Sequence, residues 1–215
     1  MKSLLKITAV SILFYCNLTT AQDMKYYTEE NGKLLPTTKV AFEKSIDHSK
    51  NVDVYLENNE GQIGVLYIRR REGKLDAEQM TALKKYLKEY SRKDINKDEY
   101  IVIDYITAAP VNDSISWFSI WNKTSKHYTK KINRITSSKN FVVYNMEGRT
   151  RWIPNGDKKD CIADKNNVIL KLFFVAQANY GNAAVIRPDG TYITHLGEYG
   201  PDEVYNMIKT LKAMP

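Results

Sequence analysis

Apolar positions recur along this chain in two rhythms, one of period two and one near 3.6. Residues 22–36 are polar, hold Gly32 and Pro36, and read as an arm or short strand. Thr37 to Ile46 carries Val40, Phe42 and Ile46 and reads as a short helix. Val52-Asp53-Val54-Tyr55-Leu56 then alternates, Asn58 to Gly61 supplies turn residues, and Ile63 to Ile68 is a second extended run. A hairpin is predicted here. Asp76 followed by Gln79 has the pattern of a capping box. Behind it Met80, Leu83, Leu87 and Tyr90 fall at helical spacing, for a helix of about four turns.

The second half continues the alternation of elements. Tyr100 to Ile106 is apolar on both faces except at Asp104, as strands covered by helices on both sides are. Ser114 to Ile135 is helical in pattern through Trp117, Trp121, Tyr128, Ile132 and Ile135, and Phe141 to Tyr144 is another buried strand. Residues 145–163 read as a loop or hairpin. Asp164 is placed to cap the run Val168 to Ala176, whose length favours a helix. Ala183 to Ile186 and Tyr192 to Leu196 flank Pro188-Asp189-Gly190, a hairpin turn in which proline presets the bend and glycine accepts positive φ. Gly200-Pro201-Asp202-Glu203 opens a last helix, with Val204, Ile208 and Leu211 facing inward. Taking Ile63 to Ile68 as the first strand, right-handed crossovers make the early strands parallel and the last two antiparallel. The expected fold class is α/β, a mixed central sheet with helices on both faces.

Residues 1–21 change the picture of where the chain works. Lys2 and Lys6 precede an apolar stretch from Ile7 to Leu18, and Thr19-Thr20-Ala21 has the small residues of a signal-peptidase site. Bulky Phe14-Tyr15 ahead of Cys16 argue against a lipid anchor there. Cleavage after Ala21 predicts an exported protein of 194 residues, periplasmic or extracellular, with no membrane span. The Lys-, Asn-, Ile- and Tyr-rich remainder fits a bacterial gene of AT-rich composition. Removal of the leader leaves Cys161 as the one thiol, so no internal disulfide forms. Cys161 is then a thiol on its own, a link between two copies, or a small buried hydrophobe. The protein is expected as a monomer or a thiol-linked dimer. With 43% apolar and 27% charged residues, the composition is that of a globular chain.

The element order is similar to the thioredoxin fold, and local residues carry the resemblance. Ile101 to Ile106 resembles that family's central strand, ending in Asp and an aromatic before the active-site turn. Tyr180 to Tyr192 resembles its hairpin, and Leu196-Gly197 with the Pro201 helix resembles its ending. The resemblance covers residues 63–213. It implies a thioredoxin-like domain over 63–215, with 22–62 as an N-terminal extension. It also implies a degenerate member. Where the family has two cysteines, this chain has Thr107 to Asp113, with Ala108, Ala109, Pro110 and Asp113 in the equivalent turn. Asn182-Ala183 stand where the family has a cis-proline. Dithiol exchange needs two thiols in one turn and is not expected here. In the family the Asp104 position is a proton relay for the cysteines. Here Asp104 is a buried-acid candidate, either a hydrogen-bonded remnant or a general acid or base.

The remaining chemistry is sparse. His48, His127 and His195 have no partners at zinc-ligand spacing, so no metal or other cofactor is expected. Cys161 with His195 is a conceivable nucleophile and base, and an enzyme using Asp104, Cys161 or His195 is the alternative to a binding module. Charge is more telling. Without Lys2 and Lys6 the chain has 30 basic and 25 acidic residues. Ten of the basic ones lie between Lys123 and Lys159, against Glu147 and Asp157. Lys123, Lys126, Lys130, Lys131, Arg134, Arg149 and Arg151 form a candidate binding stripe, interleaved with Tyr128, Tyr144 and Trp152. Such a stripe attracts polyanions in a salt-dependent way. Export makes an envelope polyanion or a protein the expected partner, rather than intracellular nucleic acid. Arg69-Arg70-Arg71 reads as charge protecting a strand edge.

Overall fold

A computed structural model describes residues 24–58, 61–107, 123, 125–145, 161–178 and 181–215. The expected leader, the expected turn residues Ala108, Ala109, Pro110 and Asp113, and Arg149 and Arg151 lie outside these residues. No helix among the described residues is long and apolar enough to cross a membrane.

The chain begins as a small sheet. β1 (Lys25–Glu30), β2 (Lys33–Thr37), β3 (Asn51–Asn58) and β4 (Gly61–Ile68) associate in the order β2-β1-β4-β3, with β1 parallel to β4. α1 (Lys39–Lys44), capped by Thr38, seats a fully buried Phe42 against the rings of Tyr26 and Tyr55 on one face of this sheet. The opposite face carries Val52, Val54, Val65 and Tyr67 into the main core.

The second sheet has six strands in the order β5-β10-β9-β6-β7-β8. They are β5 (Arg70–Lys74), β6 (Tyr100–Ile106), β7 (Ser138–Asn145), β8 (Cys161–Asp164), β9 (Asn182–Ile186) and β10 (Thr191–Leu196). β6, β7 and β8 are parallel, while β9 runs antiparallel to β6 and β10 antiparallel to β9. This is the mixed sheet expected from the sequence, with one difference. Ile63 to Ile68 is not its first strand but belongs to the N-terminal sheet, and the chain enters the central sheet only at β5, antiparallel to β10. Cys161–Asp164, at the end of the stretch read as a loop or hairpin, adds a strand at the far edge, parallel to β7.

Helices cover both faces. α2 (Ala77–Ser91) has the capping box read from Asp76 and Gln79: Asp76 Oδ1 accepts from the Gln79 amide at 2.7 Å, and Gln79 Oε1 from the Asp76 amide at 3.0 Å. Such a cap is worth about 1 kcal/mol. α2 buries Met80, Leu83 and Leu87 beside α4 (Val168–Phe173) on one face of the sheet. α3 (Lys126–Ile135) and α5 (Pro201–Ala213) pack together on the other, through Tyr128, Ile132, Val204, Tyr205, Met207, Ile208 and Leu211. The single helix expected over Ser114 to Ile135 is interrupted: Ser125 is extended and caps α3, which starts only at Lys126. β6 sits between the layers: Ile101, Ile103 and Tyr105 point to α2, and Tyr100, Val102 and Asp104 to α3 and α5. In the β9–β10 turn Gly190 has φ +89°, and a Cβ there would lie 2.4 Å from the carbonyl oxygen of Leu75. Only glycine meets both demands.

Asp164 caps α4, though not as a simple N-cap. Asn166 and Asn167 both have positive φ, which lets the chain turn back so that Oδ1 accepts from the Ile169 amide and Oδ2 from the Leu170 amide, both at 3.0 Å. The same carboxylate accepts from the hydroxyls of Tyr86 in α2 and Tyr105 in β6, each at 3.1 Å. One buried side chain therefore ties three elements to the end of β8. The helix is shorter than the run to Ala176, because Phe174 is already extended.

Candidate functional site

Asp104 lies near the end of β6 with no exposed surface. Its position follows from the strand's alternation, which turns residues 100, 102 and 104 toward α3 and α5. Oδ1 accepts from Tyr199 at 2.5 Å and from Tyr128 at 3.2 Å. Tyr128 comes from the first turn of α3, whose Ser125 cap accepts its amide. Tyr199 comes from the link between β10 and α5. The Lys123 ammonium sits 4.0 Å from the centre of the Tyr199 ring, a cation–π contact, and Lys123 is itself buried.

Burial dominates the electrostatics of this cluster. Desolvation pushes the Asp104 carboxyl up, against the opposing pull of the Lys123 charge and the two tyrosine hydroxyls. Desolvation likewise pushes Lys123 down, opposed by Asp104 and Glu198. Both tyrosine hydroxyls are held well above their ordinary range, by burial first and by the Asp104 charge second. They remain donors at any ordinary pH. Asp104 is held through Oδ1 alone: its buried Oδ2 has no hydrogen-bond partner among the described residues.

A second polar group adjoins the first. The His195 ring lies 5.9 Å from that of Tyr199. Its Nε2 is 3.4 Å from Nη1 of Arg69, and its Nδ1 is 3.5 Å from Oε1 of Glu203. A guanidinium only donates, so Nε2 accepts and the ring proton is assigned to Nδ1, facing Glu203. Burial, with Arg69 adding to it, lowers the pKa of His195, while Glu203 pulls it up. Arg69 also donates to the Glu198 carbonyl at 3.0 Å and the Asn51 carbonyl at 3.3 Å. Arg69 is thus no edge guard. It is a buried clamp between the two sheets, its charge spread over carbonyl groups. Arg71 pairs with buried Glu29, while half-buried Arg70 lies near Glu72 on edge strand β5.

The other residues singled out in the sequence separate. Cys161 is half-buried at the start of β8. The strand order sets β8 four strand spacings from β10, about 19 Å. Cys161 and His195 therefore do not meet, and they form no nucleophile–base pair. Lys123 and Tyr128 leave the basic stripe, because both are buried against Asp104 rather than presented to solvent. Lys126, Lys130, Lys131 and Arg134 stay on the exposed face of α3. Lys131 lies 3.6 Å from Asp202 and over the Tyr205 ring. His48 and His127 are surface residues. Tyr199 escaped the sequence reading altogether. Its one signal is an aromatic set between Gly197 and Gly200 just after a strand.

The strand order β7-β6-β9-β10, with α3 and α5 on one face and α2 and α4 on the other, is a thioredoxin-like fold. No protein-family model matches the chain, and no curated protein matches it. Among solved structures it is similar to a yeast mitochondrial 1-Cys peroxiredoxin, at 14% identity over 76% of this chain and 74% of that one, with a TM-score of 0.37. It is also similar to a protein of Neisseria meningitidis provisionally described as a thioredoxin, at 13% identity over 74% and 87%, with a TM-score of 0.35. The chain's own strand order carries the assignment, and no residue role passes across at these distances.

Proposed function

We propose that this chain is an exported thioredoxin-like module without dithiol chemistry, and that it works by binding an anionic envelope component or a protein. The observation that supports this most directly is the state of Asp104. The carboxyl beneath the active-site turn of the family is here enclosed by Tyr128, Tyr199 and Lys123. Its Oδ1 accepts from two tyrosines while its buried Oδ2 has no hydrogen-bond partner among the described residues, and a proton relay needs a thiol facing that oxygen. The sequence agrees: residues 107–113 hold no cysteine, and Cys161 lies on β8, two strands from β6.

The secreted protein, isolated from the culture or periplasm of the expressing cell, tests each part. Its mass should correspond to a chain starting at Gln22, with one titratable thiol. Reduction of insulin disulfides in the presence of dithiothreitol should run at the rate of dithiothreitol alone. Turnover above that background would end the reading.

A further inference from the structure

Among the described helices of more than two turns, α3 stands apart in its outer face. α5 follows helix electrostatics, with Asp202 and Glu203 in its first turn and Lys212 in its last. α3 has no acidic residue at all. Lys126 stands in its first turn, at the positive end of the helix dipole. Lys126, Lys130 and Arg134 follow one another at four-residue steps, about 6 Å apart along the axis, so like charges neighbour each other down one line. All three are exposed, and none is in an ion pair among the described residues. This arrangement works against the helix that carries it. The Lys212 ammonium, bonded to the Ile135 carbonyl at 2.7 Å, and exposed Lys209 on α5 extend the positive surface beside it.

We infer that this face of α3, continued by α5, is the docking surface for a sulfated or carboxylated glycan chain. The inference rests on the reading of the chain as a binding module. Charge selects an anion, and the surroundings select its kind. A membrane-docking face carries apolar groups that enter the lipid, yet the exposed large apolar residues of the described chain lie on β2, α1, β3, β4 and around α4, none on α3 or α5. Unpaired nucleic acid is held by aromatic stacking, and the tyrosines of this layer, Tyr128 and Tyr205, are buried beneath the helices. What remains exposed is a line of long cationic side chains about 12 Å in extent, suited to a hydrated, linear polyanion.

The test uses the secreted chain and a heparin oligosaccharide, with binding measured calorimetrically at several salt concentrations. The variant Lys126→Gln/Lys130→Gln/Arg134→Gln should bind about tenfold more weakly or worse. The slope of log affinity against log salt should fall by about two. A control of equal charge loss, Lys44→Gln/Lys85→Gln/Lys97→Gln, should bind within about twofold of the parent. Circular dichroism checks that the variants fold, and Lys130→Ala alone, with an expected loss of about threefold, repeats the test should the triple variant not fold. Parent chain that ignores heparin, a triple variant that binds like the parent, or a control that loses as much would each overturn the proposal. So would preference for phosphatidylglycerol vesicles or duplex DNA over heparin at equal salt. Insulin turnover would strike the redox-inactive reading and leave a heparin result standing, so the two failures are distinguishable.

Discussion

Replacing Asp164 by alanine removes four hydrogen bonds at once, and their surroundings give the expected loss. The two amide bonds at 3.0 Å cap α4, and loss of a cap costs about 1 kcal/mol. The Tyr105 hydroxyl, on a side chain with no exposed surface, loses a charged acceptor worth about 1.5–3 kcal/mol. Tyr86 is half-buried and recovers part of its bond from water, so its share stays below about 1 kcal/mol. Together these give about 3–5 kcal/mol, a large part of the stability of an ordinary domain. Urea unfolding followed by far-ultraviolet circular dichroism reads it as a fall in midpoint of about 1.5 M, at an m-value of about 2.5 kcal/mol per molar. Asp164→Asn, which keeps one acceptor oxygen, should lose roughly half as much. In a Tyr105→Phe background the cost of Asp164→Ala should shrink by the Tyr105 share, about 1.5–3 kcal/mol. A loss under about 1 kcal/mol for Asp164→Ala, at unchanged m-value, would show that this carboxylate does not join α2, β6 and α4.

Three further outcomes are expected. Tyr199→Phe removes the 2.5 Å bond to Asp104 but keeps a ring beside Lys123, and should cost about 1–2 kcal/mol in the same urea assay, with Tyr199→Leu costing more. His195 is held below its ordinary pKa by burial, so the unfolded chain binds its proton first as pH falls; stability should drop below about pH 6.5, and His195→Asn should flatten that part of a thermal-melting profile against pH. Gly190→Ala combines positive φ with a Cβ against the Leu75 carbonyl and should cost about 2–3 kcal/mol by urea unfolding, while an unchanged midpoint would contradict the turn geometry.

Local elements were legible because each rests on neighbours in the chain. The alternation of Val52 to Leu56, the capping box at Asp76 and the Pro188-Asp189-Gly190 turn all carry their cause within a few residues. Partners across the sheets were not. The run from Ile63 to Lys74 looks like one strand ending in charge, yet it belongs to two sheets, because the carbonyls of Asn51 and Glu198 receive the guanidinium of Arg69 inside the protein. Lys123 counted as one more positive charge in a basic stretch, since composition records a charge without its direction. The Tyr199 ring and the Asp104 carboxyl give that lysine a buried place, and both lie far from it in sequence or on another element. Asp104 itself could be read, as the single acid in an apolar strand, but its tyrosine partners depend on how α3 and the β10–α5 link are laid over the sheet.

A single residue, Arg69, separates the last residue of β4 from the first of β5. With so little slack, the leading sheet cannot behave as a module on a tether; it turns when the body turns. Trimming the protein back to residue 63 would strip Val52 and Val54 from the face they cover and leave β4 without either neighbour. Anyone seeking a minimal soluble fragment should therefore begin no later than Lys25. Grafting the fold onto another protein means carrying both sheets together.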